Sequence, residues 1–168
     1  MDRLIKYLNI KKKQLRKRYL PLHEPNISQD DKLKVLDGLK TGFVSTAGKD
    51  IDLFEKKIKS ITKAKYVSAT INGTSALHIG LKVLGVNHND EVLIPSISFV
   101  AAANAILYNH ATPHFIDSEI DSLGVDPISL EKYLKKITII KKNYCINKKT
   151  KRIIRAIIIV HIFGHPAK

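Results

Sequence analysis

The sequence holds a single cysteine, Cys145, which excludes an internal disulfide framework and offers no cysteine pair to a metal. Long apolar runs are missing too. The longest, Ile153 to Phe163, falls short of the roughly 20 residues of a membrane span and contains Arg155 and His161. The N-terminus is charged, without the apolar stretch or small-residue cleavage site of a secretory signal. A glycine-rich Walker or dinucleotide fingerprint is also absent, which disfavours a nucleotide-binding domain built on those loops. These absences lead us to expect a cytoplasmic protein with no membrane span.

Acidic side chains are few, 15 against 29 Lys and Arg, and the net charge is +14. The imbalance is local. Residues 1–18 hold eight basic side chains and one acid, and residues 135–168 hold ten basic side chains and no acid. The 116 residues between them carry eleven basic and fourteen acidic side chains, so the centre is not basic. Neither basic run interleaves aromatic residues as a stacking surface for nucleic acid would, so no nucleic-acid partner is expected. Both read as solvated faces or tails.

What is present is a 168-residue chain, 44% hydrophobic, long enough to bury a core and patterned as one domain. Residues 1–20 form a basic arm in which Leu4, Ile5, Leu8 and Leu15 allow an amphipathic helix as far as Tyr19 or a loose segment. Pro21-Leu22-His23-Glu24-Pro25 is extended, because each proline biases its predecessor away from helix. Ser28 caps a helix to about Lys40 with Leu33, Leu36 and Leu39 inward, and Thr41-Gly42 ends it. A small-residue loop over 43–49 leads to a helix from Asp50 to about Ile61. Tyr66 to Ile71, Asp90 to Pro95, Thr112 to Asp117 and Arg155 to Val160 read as short strands. Helices follow the first three of them, starting near Thr74 and Ser75, near Phe99 (capped by Ser96 or Ser98), and at Pro127. Ile137 to Lys151 is irregular and reads as a lysine-rich loop. Strands alternating with helices predict an α/β fold with a mostly parallel sheet covered by helices.

In such sheets ligands sit at the carboxyl ends of the strands. Asn72-Gly73-Thr74-Ser75, Ser96 to Phe99 and His161 all fall there. Thr74 and Ser75 stand at a helix start, where unpartnered N–H groups and the helix dipole favour a phosphate. On these residues alone, a phosphate seat and a plain helix cap are equally good readings.

Several segments occur in an order that is familiar: Thr41-Gly42-Phe43-Val44-Ser45, Phe54-Glu55, Asn72-Gly73-Thr74-Ser75-Ala76-Leu77, Asp90 to Pro95, Ser98 to Ile106, and Val160-His161-Ile162-Phe163-Gly164. Together they resemble the N-terminal part of a sugar aminotransferase of the DegT/DnrJ/EryC1/StrS family. Residues 21–25 further resemble the subgroup that aminates UDP-linked keto-sugars for surface glycans such as legionaminic acid.

The resemblance implies part of a fold type I large domain over residues 21–168, with pyridoxal 5′-phosphate as cofactor. It implies a homodimer that takes a nucleotide-sugar and an amino donor, glutamate. Thr74 and Ser75 would hold the cofactor phosphate, and Phe99 would stack on its ring or else pack in the core. Asn104 would contact the cofactor region or serve only its own helix. His161 would touch substrate or be a satisfied structural histidine, and Ser45 would lie near the substrate pocket. The lysine that bonds the cofactor and the carboxylate that faces its ring nitrogen come after His161–Gly164 in the family. No lysine here sits in that lysine motif, so the chain reads as truncated before it and inactive alone. The alternatives are a non-catalytic module that only binds cofactor or a partner, and an unrelated nucleotide-binding domain.

Overall fold

In the computed structural model, which describes residues 2–14, 24–45 and 48–168, the chain falls into two units, Met1–Phe54 and Glu55–Lys168. The helices in chain order are α1 (Asp2–Gln14), α2 (Gln29–Thr41), α3 (Lys49–Thr62), α4 (Gly73–Val83), α5 (Val100–Tyr108) and α6 (Pro127–Ile137). The strands are β1 (Glu91–Pro95), β2 (Thr112–Ile116), β3 (Thr138–Lys141), β4 (Tyr144–Asn147) and β5 (Ile154–Ile157), followed by a 3-10 turn at Ile162–Gly164.

β1 is the centre of the second unit, and all five of its residues are buried. It pairs in parallel with β2 on one side, Glu91 opposite Thr112 through Pro95 opposite Ile116. On the other side it pairs in parallel with β5, with a register slip between Glu91 and Val92. Its alternate side chains serve two faces. Val92 and Ile94 pack with Leu81 of α4 and with Ala102, Ala105 and Ile106 of α5, while Leu93 packs with Ile116, Val125 and Ile154 above Leu130 and Leu134 of α6. A strand covered on both faces has to be apolar throughout its middle, as Val92-Leu93-Ile94 is. Ile94→Ala should cost roughly 2–5 kcal/mol.

Three expectations about where elements lie in the second unit are corrected. Tyr66 to Ile71 is not a strand: it is irregular, Ile71 is 90% exposed, and no described residue pairs with it in a ladder. β-favouring side chains need a neighbouring strand to pack and bond beside, and here the Ala69 N–H donates to Glu55 Oε1 instead, at 2.8 Å. Ile137 to Lys151 is not a loop but largely the antiparallel hairpin of β3 and β4, Thr138 opposite Asn147 and Lys141 opposite Tyr144. Its two turn residues, Lys142 and Asn143, both have positive φ (48° and 64°), the backbone of a tight two-residue hairpin turn. Third, α5 starts without a side-chain cap; Phe99, rather than Ser96 or Ser98, is its first flanking residue.

In the unit Met1–Phe54, α1 is exposed along its described length, and its predicted continuation to Tyr19, like Pro21-Leu22-His23, lies outside the described residues. The Ser28 side chain accepts the Asp31 N–H at 3.1 Å and Asp31 Oδ2 accepts the Ser28 N–H at 2.7 Å, so α2 opens as expected. It ends on Gly42, whose φ of 74° suits glycine. Leu33, Leu36 and Leu39 were expected to face inward, and they are exposed. No helix among the described residues is long and apolar enough to cross a membrane.

Candidate functional site at the carboxyl end of the sheet

Asn72 is extended and precedes the first turn of α4, so its side chain can fold back over the helix start. Its Oδ1 accepts the Ser75 N–H at 2.8 Å, and its carbonyl accepts the Ala76 N–H at 3.1 Å. The cap is therefore Asn72, not Thr74 or Ser75. The N–H groups of Gly73 and Thr74 precede any intrahelical acceptor and have no partner among the described residues.

These two residues lie on the wall of a groove of about 620 Å³ at the carboxyl ends of β1 and β5. The rest of the wall is Ala76 and Leu77 of α4, Phe99, Ala101 and Ala102 at the start of α5, and Ile158 to His161 after β5. Among these residues there is no carboxylate, so an anion meets no like charge on the wall. Phe99 is 78% exposed, which removes the core-packing alternative and leaves an aromatic face open to a ligand. His161 Nδ1 accepts the Ala167 N–H at 3.0 Å. The neutral ring then carries its proton on Nε2.

The structure thus brings together Thr74, Phe99 and His161, three of the residues singled out from sequence. Ser75 is half-buried and does not line the groove, its N–H held by the cap. Asn104 is half-buried on α5 and does not line the groove. Ser45 belongs to the unit Met1–Phe54 and is exposed there. Sequence reasoning placed Gly73 at the ligand end but passed over Ala101, Ala102 and Ile158 to Val160 as wall residues. The visible signal was the run of small residues after Phe99, which leaves room beside a ring.

At the amino end of β1 lies a second polar cluster, closed rather than open. Glu91 is 2% exposed, with Oε1 accepting from the Thr150 hydroxyl at 2.5 Å and Oε2 from Asn147 Nδ2 at 2.9 Å. His114 Nδ1 is 2.7 Å from the same Oε2, and its Nε2 is 2.9 Å from the Tyr133 hydroxyl. Burial pushes the Glu91 carboxyl up, but the bonds from Thr150, Asn147 and His114 outweigh it and hold the group below its ordinary value. Beside it Asp90 Oδ2 accepts from Arg155 Nε at 3.1 Å and from the Asn87 N–H at 3.0 Å. This cluster ties β1 to β2, β4 and the turn before β5.

Residues 25–168 match the family described as the DegT/DnrJ/EryC1/StrS aminotransferase family. The GDP-perosamine synthase of Vibrio cholerae is 36% identical over 145 residues, which is 86% of this chain and 35% of that protein. The chain spans about a third of the length of the curated relatives it matches. Among solved structures, a DegT DnrJ EryC1 StrS aminotransferase from Brucella abortus superposes with a TM-score of 0.67 at 28% identity, over 82% of this chain and 34% of that one. NtdA from Bacillus subtilis, solved with bound cofactor PMP, superposes with a TM-score of 0.64 at 27% identity, over 89% of this chain and 34% of that one.

Proposed function

Since the chain belongs to the DegT/DnrJ/EryC1/StrS aminotransferase family, we propose that its groove is the pyridoxal 5′-phosphate seat of a sugar aminotransferase. The substrate class is a nucleotide-linked keto-sugar destined for glycans, and the amino donor is glutamate. The observation that carries this reading is the meeting of two unpartnered N–H groups, an exposed aromatic ring and an apolar wall on one groove. The family's enzymes depend on this cofactor, and the PMP bound in NtdA supports a ligand of the same chemistry.

The residues present fit the group. Gly73 and Thr74 donate N–H groups to phosphate oxygens, the Thr74 hydroxyl adds a third donor, and the start of α4 adds a favourable dipole. Phe99 offers its face to the pyridine ring. Leu77, Ala102 and Ile158 would give the ring an apolar wall. When bound, the cofactor supplies the electron sink needed to move an amino group between carbon skeletons. Residues 1–168 provide the phosphate and ring seat in this reading. This reading assigns neither the lysine that bonds the cofactor nor the carboxylate facing the ring nitrogen to any of these residues.

The dipole contributes on the order of 0.3–1 kcal/mol, and each hydrogen bond to a charged group about 1.5–3 kcal/mol. These terms are gross; after the several kcal/mol lost in immobilising the ligand, a net of about 4 kcal/mol corresponds to roughly millimolar binding. Calorimetric titration with pyridoxamine 5′-phosphate tests this, because that ligand lacks the aldehyde that would condense with surface lysines. Weak saturable binding, abolished by Thr74→Glu, is the expected result. Undiminished binding to the Thr74→Glu variant would move the phosphate elsewhere.

A further inference from the structure

Beyond the groove, the 3-10 turn at Ile162–Gly164 folds the chain back so that Ala167 reaches His161 and donates its N–H to Nδ1 at 3.0 Å. Ala167 is held by the segment 119–124. Gly124 is buried, and a Cβ added there would stand 2.7 Å from the Ala167 Cβ and 3.1 Å from its Cα. Real carbon atoms do not pack so closely, so the approach depends on glycine. Next in sequence, Lys168 Nζ donates to Glu119 Oε2 at 3.1 Å and to Asp121 Oδ2 at 2.6 Å. Glu119 is itself fixed: it accepts from the Ser122 hydroxyl, from the Ser122 N–H at 2.6 Å and from the Asp121 N–H at 2.8 Å.

A continuous set of contacts therefore runs from Glu119 and Gly124 through the tail to one nitrogen of His161. That nitrogen is occupied as an acceptor, and only the other remains for a ligand. We propose that Gly124 and Glu119 are positioning residues that act through Ala167 and Lys168. They hold His161 with Nδ1 as the acceptor and the ring proton on Nε2, a hydrogen-bond donor to an oxygen acceptor of the molecule in the groove. A histidine free to rotate or exchange tautomers would part of the time present an acceptor and repel the same oxygen. The identity of the ligand rests on the function proposed above; the state of the ring does not.

The test is a nitrogen-15 spectrum of the full chain with labelled histidine, taken above the pH at which the ring titrates. His161 is assigned by the signal lost in His161→Asn. The expected wild-type result is one tautomer with the proton on Nε2. In Gly124→Ala the methyl displaces Ala167, and both tautomers should appear. Lys168→Met loosens the tail without touching the 119–124 segment and should shift the same ratio less, which keeps the test valid if Gly124→Ala does not fold. Pyridoxamine 5′-phosphate should move the wild-type His161 signals and bind Gly124→Ala roughly three- to tenfold more weakly, the loss of one hydrogen bond. A wild-type proton on Nδ1, or a tautomer ratio unmoved in every folded variant, would overturn the proposal. If the tautomer behaves as stated but the ligand does not bind at all, the cofactor reading fails and the positioning of His161 stands.

Discussion

At the amino end of β1, Glu91 is buried and both of its oxygens are taken by Thr150, Asn147 and His114. At the carboxyl end, the Gly73 and Thr74 N–H groups have no partner among the described residues, and Phe99 stands in the open. The same strand carries both ends, and the difference lies in whether polar valence is closed internally. Buried polar groups that satisfy one another fix a register and a partner strand. Donors left open beside an apolar wall cost the fold little at the surface and are available to a ligand. A substitution should therefore hurt stability at one end and binding at the other.

The largest break should come from Glu91→Leu. It removes the acceptors of Asn147 Nδ2, Thr150 Oγ1 and His114 Nδ1 at a fully buried position, at a cost of about 3–5 kcal/mol. Urea unfolding measures it, and a loss under 1 kcal/mol would show that the amino-end cluster is not structural. Asn72→Ala comes next. Losing the cap that accepts the Ser75 N–H should cost about 1 kcal/mol, while phosphate binding through Gly73 and Thr74 persists. Loss of binding together with the cap would mean that Asn72 belongs to the seat.

A smaller effect is expected on acidification. The Ser122 side chain, then the Asp121 backbone, hold Glu119 down to about 2 from an ordinary 4.5. Between those values the unfolded chain binds the proton that the folded chain refuses. The contribution of Glu119 is thus complete above about 4.5 and lost as pH falls toward about 2. Thermal melts of wild type and Glu119→Gln should differ most near neutrality and converge in acid; a constant gap would refute the assignment. The smallest change in stability should come from Phe99→Ala, within about 0.5 kcal/mol because the ring is exposed. The same variant should weaken pyridoxamine 5′-phosphate and leave inorganic phosphate unaffected. Equal losses for both ligands would take Phe99 off the ring.

The sheet was readable where local and global signals agree. Within Asp90 to Pro95, Val92-Leu93-Ile94 is an apolar run stopped by proline, and it became the middle of the doubly covered β1. Ser28 with Asp31 and Gly42 announced both ends of α2. Tyr66 to Ile71 misled because strand propensity measures fit to a neighbour, and no described residue supplies one. The β3–β4 hairpin was hidden by lysine: Thr138-Ile139-Ile140 and Tyr144-Cys145-Ile146 carry the β signal, but their turn is Lys142-Asn143 rather than Asn-Gly. At the groove, the rule about strand ends was enough to gather Thr74, Phe99 and His161. It did not show that Asn72 takes the cap. Asparagine is among the strongest capping residues, and its place before Gly73 was the overlooked sign.

The pairing of β1 with two parallel neighbours also sets an order of assembly. β2 follows β1 after one short helix, whereas β5 arrives only after α6 and the whole β3–β4 hairpin. Closing the longer loop costs more chain entropy, so the β1–β2 pair is expected to form first and β5 to dock onto it. Ile158 to His161 ride on that last strand. During synthesis the helix start at Gly73 emerges long before the wall that faces it, and the groove is complete only once residue 161 has left the ribosome and β5 has docked.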